Sequence, residues 1–589
     1  MPGSFSLKEK VSNTLKTKNI NIYQILILLI LLCIYQYGSQ KICSFSLYPD
    51  EFGYWASAAN AVGYDWSEVA SLGSYYSFGY SLILIPILRW APDGVIAYRI
   101  AVFVNMLFMC GSVFLLQGIC KKMFPETNKV QRTFIGGIAV LYPAWIFYMQ
   151  MTMAEALLFF MFALVTYLFL WFIERPKVLT AALLAVSLIY IYCVHMRTVG
   201  VVIACVIACM VWGITRAGKR KQLLVMIGVL ALMGGMALQL KNYTVLEVFS
   251  YAEDSTLAIN DYGNQWGKFE QILTVKGMIQ LLKEVMGKLY YLGISSFGLF
   301  YWALGWCMKE AVLLLKGILK KEGTALKQWG AVFLLLAVAG EVLICSIYMY
   351  RAGSVDCLVY GRYNELLVPV MMAVGAAVML GSRHWISITA SIAGITGFMT
   401  ILLLNVIEAE NRNGMRGYHA AGLSYLIREE DFNVFLFFRD TWLLGVGMIL
   451  LVSLLVRFAR EGTGTEWLLS GILLAEVIAG IQISNHYTYR VNVSNFENFI
   501  IVDAIKDSGK ENDEIYYLNE GKPEFIDFLQ MQLPEKPIHV IEEEILDEAA
   551  KPDGFLVTYV ETELDERLQE LYEKKVRGNT FCLYYDQDM

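Results

Sequence analysis

The chain has 589 residues, of which 57% are hydrophobic and 17% charged, with a mean hydropathy of +0.51. A soluble globular protein does not need that much apolar residue, whereas a protein that crosses a membrane many times does. The net charge of -6 is unevenly spread: Arg490 to the C-terminus holds 24 Asp and Glu against 10 Lys and Arg, and the remainder holds 29 against 37. A basic membrane portion with an acidic soluble tail is the simplest division. The sequence has no Walker loop and no G-x-G-x-x-G, which argues against a nucleotide-driven pump, and nothing in it suggests nucleic-acid binding. The 11 cysteines lie mostly in apolar runs without a Cys-x-x-Cys pair, and the five histidines are scattered, so neither a disulfide framework nor a histidine metal spacing is visible.

Residues 1–19 carry Lys8, Lys10, Lys16 and Lys18 and read as a cytoplasmic N-terminus. The apolar run after Ile20 lacks a small-residue cleavage site and reads as a retained span. Thirteen spans are predicted, near 20–38, 96–119, 134–149, 153–173, 178–195, 198–215, 222–240, 290–315, 328–350, 364–381, 385–405, 441–457 and 466–484. Each is close to the ~20 residues that cross ~30 Å of hydrocarbon. Basic clusters such as Lys121-Lys122, Lys320-Lys321 and Arg383 fall in short loops on the side of the N-terminus, in agreement with the positive-inside rule. The longer loops, 39–95, 241–289, 351–363 and 406–440, gather on the other side with the tail.

The expected fold is therefore an α-helical polytopic membrane protein of about 13 transmembrane helices with a small C-terminal α/β extracytoplasmic domain. The membrane domain is expected over 20–485, with its first outer loop at 39–95, and the soluble domain over 486–589. Asp50–Gly63, Phe78–Trp90 and 277–289 read as helices lying on the membrane surface. In the tail, strands are predicted at Glu514–Leu518, Ile538–Ile541, Phe555–Val560 and Phe581–Tyr584, with helices at Phe496–Asp507, 523–532, 543–550 and 563–576.

The segment Tyr48-Pro-Asp-Glu-Phe-Gly-Tyr-Trp55 follows the first span. Pro49 suits a helix start, and Asp50 and Glu51 then fall in the first turn, where the helix dipole favours negative charge. They can serve as a helix terminus with an aromatic belt. They can also act as a general base for an attacking hydroxyl or amine, or hold a divalent cation through oxygen. Arg197, in His195-Met-Arg-Thr198, and Arg362, in Tyr360-Gly-Arg-Tyr363, stand at the outer ends of spans. Their guanidinium forks suit phosphate oxygens, the plainer alternative being snorkelling to the headgroups. Glu155 opens the fourth span, where an ionisable group is costly and a functional candidate.

The stretch DEFGYWASAANAV, followed by SFGYSLILIPILRW, AYRIAVFVNMLF, LYPAWIFYMQMTMAEALLF and GRYNELLVPV, resembles the GT-C membrane glycosyltransferases. The resemblance is to the branch of protein O-mannosyltransferases and aminoarabinose transferases, glycosyltransferase family 39-like. It implies a polyprenyl-phosphate-linked sugar donor held in the lipid bilayer and an extracytoplasmic acceptor of unnamed class. It also implies single-displacement inversion with Asp50 as base and Glu51 assisting. Arg197, Arg362 and Tyr363 would hold the donor phosphate, Tyr54 and Glu155 would line the cavity, and some relatives bind a divalent cation. The rival readings are a flippase or transporter of lipid-linked sugars and a non-catalytic membrane scaffold. No internal repeat of the kind transporters carry is evident.

Overall fold

The computed structural model describes residues 21–215, 220–251, 266–350, 353–427, 431–461, 465–508, 513–520, 526–543 and 551–586. The basic N-terminal lysines and all but Glu543 of the 543–550 helix lie outside the described residues.

Among the described residues, eight helices are long and apolar enough to cross a membrane, and two bent pairs raise the number to ten. The bent pairs are Lys129–Val140 with Pro143–Met149, at 63°, and Val275–Ser295 with Leu299–Leu319, at 115°. Helices also stand at the other three predicted spans, as Val178–Val194, Val368–Gly381 and Thr465–Ser484. The first two have 17 and 14 residues. At about 1.5 Å per residue they fall short of the ~30 Å hydrocarbon layer. By length and composition alone up to ten of the thirteen predicted spans qualify, and a helix stands at each of the thirteen.

The predicted span 290–315 is bent rather than straight, and the predicted surface helix 277–289 is present as part of a longer helix. One helix, Val275–Ser295, covers the second and the start of the first, and the chain then turns sharply into Leu299–Leu319. The turn is made by Phe297 and Gly298 with φ of 52° and 75°. A Cβ at Gly298 would come within 2.4 Å of Ile449, so glycine serves both the conformation and the packing. The other two predicted surface helices are present as Asp50–Val62 and Ser81–Trp90.

The tail begins with helices Arg490–Glu497 and Phe499–Asp507. It continues into a five-stranded sheet of β1 (Glu514–Leu518), β2 (Ile538–Ile541), β3 (Gly554–Tyr559), β4 (Lys574–Arg577) and β5 (Phe581–Tyr585), in the order β2-β1-β3-β5-β4. The first three strands are parallel, and β5 and β4 add antiparallel. The helix predicted over 563–576 ends at Leu571, because Lys574–Arg577 pairs with β5 instead.

The tail grips the first loop. Asn492, fully buried, accepts the backbone N–H groups of Cys43 and Ser44 at 2.7 and 3.1 Å. Asn495 donates to the Phe45 carbonyl at 2.9 Å, and Trp66 donates to the Pro534 carbonyl at 2.8 Å. Glu68 accepts the Val540 N–H at 2.7 Å and meets His539 Nδ1 at 2.9 Å. The soluble domain and the loop that carries Asp50 therefore share one face of the molecule.

Candidate active site

Asp50 opens the Asp50–Val62 helix directly after Pro49, whose φ of -62° already suits the helix. Its Oδ2 forms an ion pair with Nη2 of Arg362. Arg362 Nε donates to Glu155 Oε1 at 2.8 Å, and Arg197 Nη2 donates to the same oxygen at 3.1 Å. Four residues separated by up to 312 positions thus form one chain of charge, Asp50–Arg362–Glu155–Arg197. All four are buried, and Glu155 is fully so. Two carboxylates face two guanidiniums, which is the condition under which such charges tolerate burial. Burial alone would lower the Arg362 pKa, but the adjacent Asp50 and Glu155 carboxylates raise it well above the usual arginine range.

Each arginine is placed by its backbone. Glu155 lies in the first turn of Ala154–Glu174, and Arg197 lies in a tight turn, Met196–Thr198, between two apolar helices. The N–H groups of Gly361 and Arg362 both donate to the His419 carbonyl, at 2.9 and 3.3 Å. A Cβ at Gly361 would come within 2.2 Å of the Tyr291 ring, so only glycine lets the chain pass there. Three residues after Arg362, Glu365 accepts from Tyr148 Oη at 2.7 Å, from the Tyr291 hydroxyl and from the Gly422 N–H at 3.2 Å. The guanidinium of Arg362 stacks on Tyr48 at 4.3 Å, and that of Arg197 on Tyr363 at 4.6 Å.

Asp50, Arg197, Arg362 and Tyr363 line a cavity of about 250 Å³, together with His195 and Tyr76 among others. Glu155 stands behind the two arginines rather than on the cavity wall. Tyr54 stands one layer back as well: it is buried and meets Tyr76 edge-on at 6.0 Å. Glu51 does not reach the cavity. Its Oε1 accepts from Ser46 N and Oγ at 2.9 and 2.7 Å. Its Oε2 accepts from Tyr98 Oη at 2.5 Å and from Thr152 N and Oγ1, both at 2.8 Å. Burial raises its pKa, and the bonds from Tyr98, Ser46 and Thr152 act in the opposite direction. Five donors on one buried carboxylate describe a structural post that joins the first loop to the Met149–Met153 turn. Glu51→Ala is expected to leave those donors unsatisfied at about 1–3 kcal/mol each. Thermal unfolding in detergent should show a large drop, and an unchanged transition would remove this role.

The sequence reading passed over His195 and Glu341 on the cavity wall. Glu341 lies in the middle of the Leu326–Tyr348 span, 1% exposed, and accepts the Val201 N–H at 3.1 Å. Its signal was available, an ionisable residue inside an apolar run. Among the described residues no three of His, Cys, Asp and Glu cluster as metal ligands. The carboxylates of Asp50 and Glu155 both face guanidinium groups, so a divalent cation would meet positive charge there. These residues do not fit a metal.

No family model matches the sequence, and no curated protein does. Solved structures do. ArnT from Cupriavidus metallidurans aligns over 95% of this chain and 97% of its own at 11% identity, with a TM-score of 0.51 when bound to undecaprenyl phosphate and 0.52 in the apo state. Its fold is similar to that of ArnT. The oligosaccharyltransferase of Archaeoglobus fulgidus, in complex with Zn and sulfate, aligns at a TM-score of 0.43 and 13% identity over 93% of this chain and 69% of its own. ArnT, the aminoarabinose transferase, is a GT-C protein, so the fold agrees with the resemblance drawn from the motifs. A polytopic helical membrane domain with a small C-terminal sheet domain is the architecture of this chain.

Proposed function

We propose that this protein is a membrane glycosyltransferase that moves a sugar from a polyprenyl-phosphate donor to an acceptor on the extracytoplasmic side. The observation that carries the reading is the buried charge chain on one wall of the cavity, and within it the unfilled donors of Arg197. That residue is 4% exposed, yet among the described residues its Nε and Nη1 have no hydrogen-bond partner. Buried guanidinium N–H groups without acceptors call for an anionic ligand, and the oxygens of a phosphoryl group are strong acceptors of that kind. The undecaprenyl phosphate bound to ArnT is a ligand of that class in a protein of the same fold.

In the proposed reaction an acceptor hydroxyl or amine attacks the anomeric carbon from the side opposite the phosphate. Asp50, whose Oδ1 lies outside the pair with Arg362, takes the acceptor's proton. The C–O bond to phosphate breaks, its electron pair leaves with polyprenyl phosphate, and Arg197 and Arg362 stabilise the charge that develops. Tyr363 packs its ring against the guanidinium of Arg197. One displacement inverts the anomeric configuration. The face that carries the first loop and the tail is extracytoplasmic, and the N-terminus is cytoplasmic.

The test offers purified protein in liposomes a panel of polyprenyl-phosphate sugars and measures release of polyprenyl phosphate. Release that depends on an added acceptor supports the reading. Donor crossing the bilayer without release would overturn it in favour of a flippase.

A further inference from the structure

His195 ends the Val178–Val194 helix in an extended conformation, with φ of -159° and ψ of 127°. Its ring folds over the turn that follows, and the backbone N–H of Arg197 donates to Nδ1 at 3.3 Å. A nitrogen that accepts a hydrogen bond carries no proton, so the ring is neutral and its proton sits on Nε2. Among the described residues Nε2 has no protein partner, and the ring forms part of the cavity wall. Among the described residues the same turn therefore presents three N–H groups without protein acceptors: Nε2 of His195, and the buried Nε and Nη1 of Arg197.

We propose that His195 is a further substrate-contacting residue whose Nε2–H donates to a phosphoryl oxygen of the lipid-linked donor, beside Arg197. This rests on the glycosyltransferase reading for the identity of the phosphoryl group. The imidazole transfers no proton in the step. The acceptor's proton goes to Asp50, the anomeric carbon–oxygen bond breaks, and its electron pair stays on the phosphate. As negative charge grows on that phosphate, a fixed neutral donor strengthens its hydrogen bond without adding to the positive charge of the wall. The Nδ1 bond to Arg197 fixes the tautomer and aims the ring, so one residue both shapes the turn and serves the ligand.

The two ring nitrogens can be tested separately. His195→Asn places an amide oxygen near the Nδ1 position and keeps the cap, whereas His195→Gln places an amide N–H near the Nε2 position and keeps the donor. His195→Asn is expected to lose about 10²–10³ in turnover while His195→Gln stays within about tenfold of the parent. Unfolding temperatures are measured alongside, and His195→Asn should melt with the parent. Full activity in His195→Asn, equal losses in both variants, or a greater loss in His195→Gln would each overturn the proposal. Binding of undecaprenyl phosphate alone, measured on folded wild type and both variants, gives a readout that needs no turnover. His195→Asn should bind it about 10- to 100-fold more weakly than wild type and His195→Gln. Equal binding by all three sinks the His195 contact. Weaker binding by His195→Asn with no sugar transfer by wild type keeps the contact and sinks the transfer reaction instead.

Discussion

Asp50→Asn is expected to lower sugar transfer by about 10²–10⁴, the usual contribution of a positioned general base, while donor binding stays near that of the parent. Asparagine matches the shape of aspartate and can still face Arg362 with its amide oxygen, and Arg362 keeps its bond to Glu155 at 2.8 Å. The phosphate-facing side of the cavity should therefore survive the change, and only the proton acceptor is lost. Donor binding and turnover measured on one preparation separate these two outcomes. Loss of both would mean that Asp50 acts by holding Arg362 in place. Retention of both would move the base elsewhere, and the carboxylate left on the cavity wall is Glu341. Glu51 is a poor substitute despite being the next residue, because all its acceptor capacity is taken by Ser46, Tyr98 and Thr152.

That contrast shows how far the sequence could be read. The start of the Asp50–Val62 helix was legible because Pro49 and two acids carry local information about helix termini. Consecutive residues on a helix point about 100° apart, however, so only one of two adjacent carboxylates can face a given cavity. Which one depends on packing by Tyr98 and Thr152, far away in the chain. Glu155, Arg197 and Arg362 were visible as ionisable residues at the ends of apolar runs, and the structure brings them together with Asp50. Their shared hydrogen bonds were not visible, since ion pairing across 207 positions leaves no local pattern. The same limit explains the elbow at Phe297–Gly298. An apolar run reads alike whether it crosses the membrane straight or turns by 115°, and the positive φ at Phe297 and Gly298 marks the turn only in the structure. In the tail, strands β1 and β2 were legible to the residue from their apolar, β-branched and aromatic runs, while the short charged β4 owes its form to pairing with β5.

Glu155→Ala should strongly damage the fold. One fully buried carboxylate oxygen receives both Arg362 and Arg197, so its removal strands guanidinium charge in a site from which water is largely excluded. Arg362 retains Asp50, but Arg197 loses its carboxylate partner, the one it has among the described residues. Removing one partner of a buried ion pair costs about 3–5 kcal/mol, a large share of the ~5–15 kcal/mol that holds a typical domain together. The expected result is a marked fall in the unfolding temperature in detergent and a lower yield of folded protein in the membrane. Glu155→Gln keeps the acceptor oxygen and the shape, and should lie between the parent and the alanine variant. The decisive comparison is Glu155→Gln with Arg197→Gln in one chain. If the cost comes from unbalanced buried charge, the pair of changes should destabilise less than the sum of the two singles, because each removes the burden the other creates. Additive losses would mean that Glu155 and Arg197 contribute through packing alone. The buried charge chain would then lose its account as the element that holds the two arginines at the cavity.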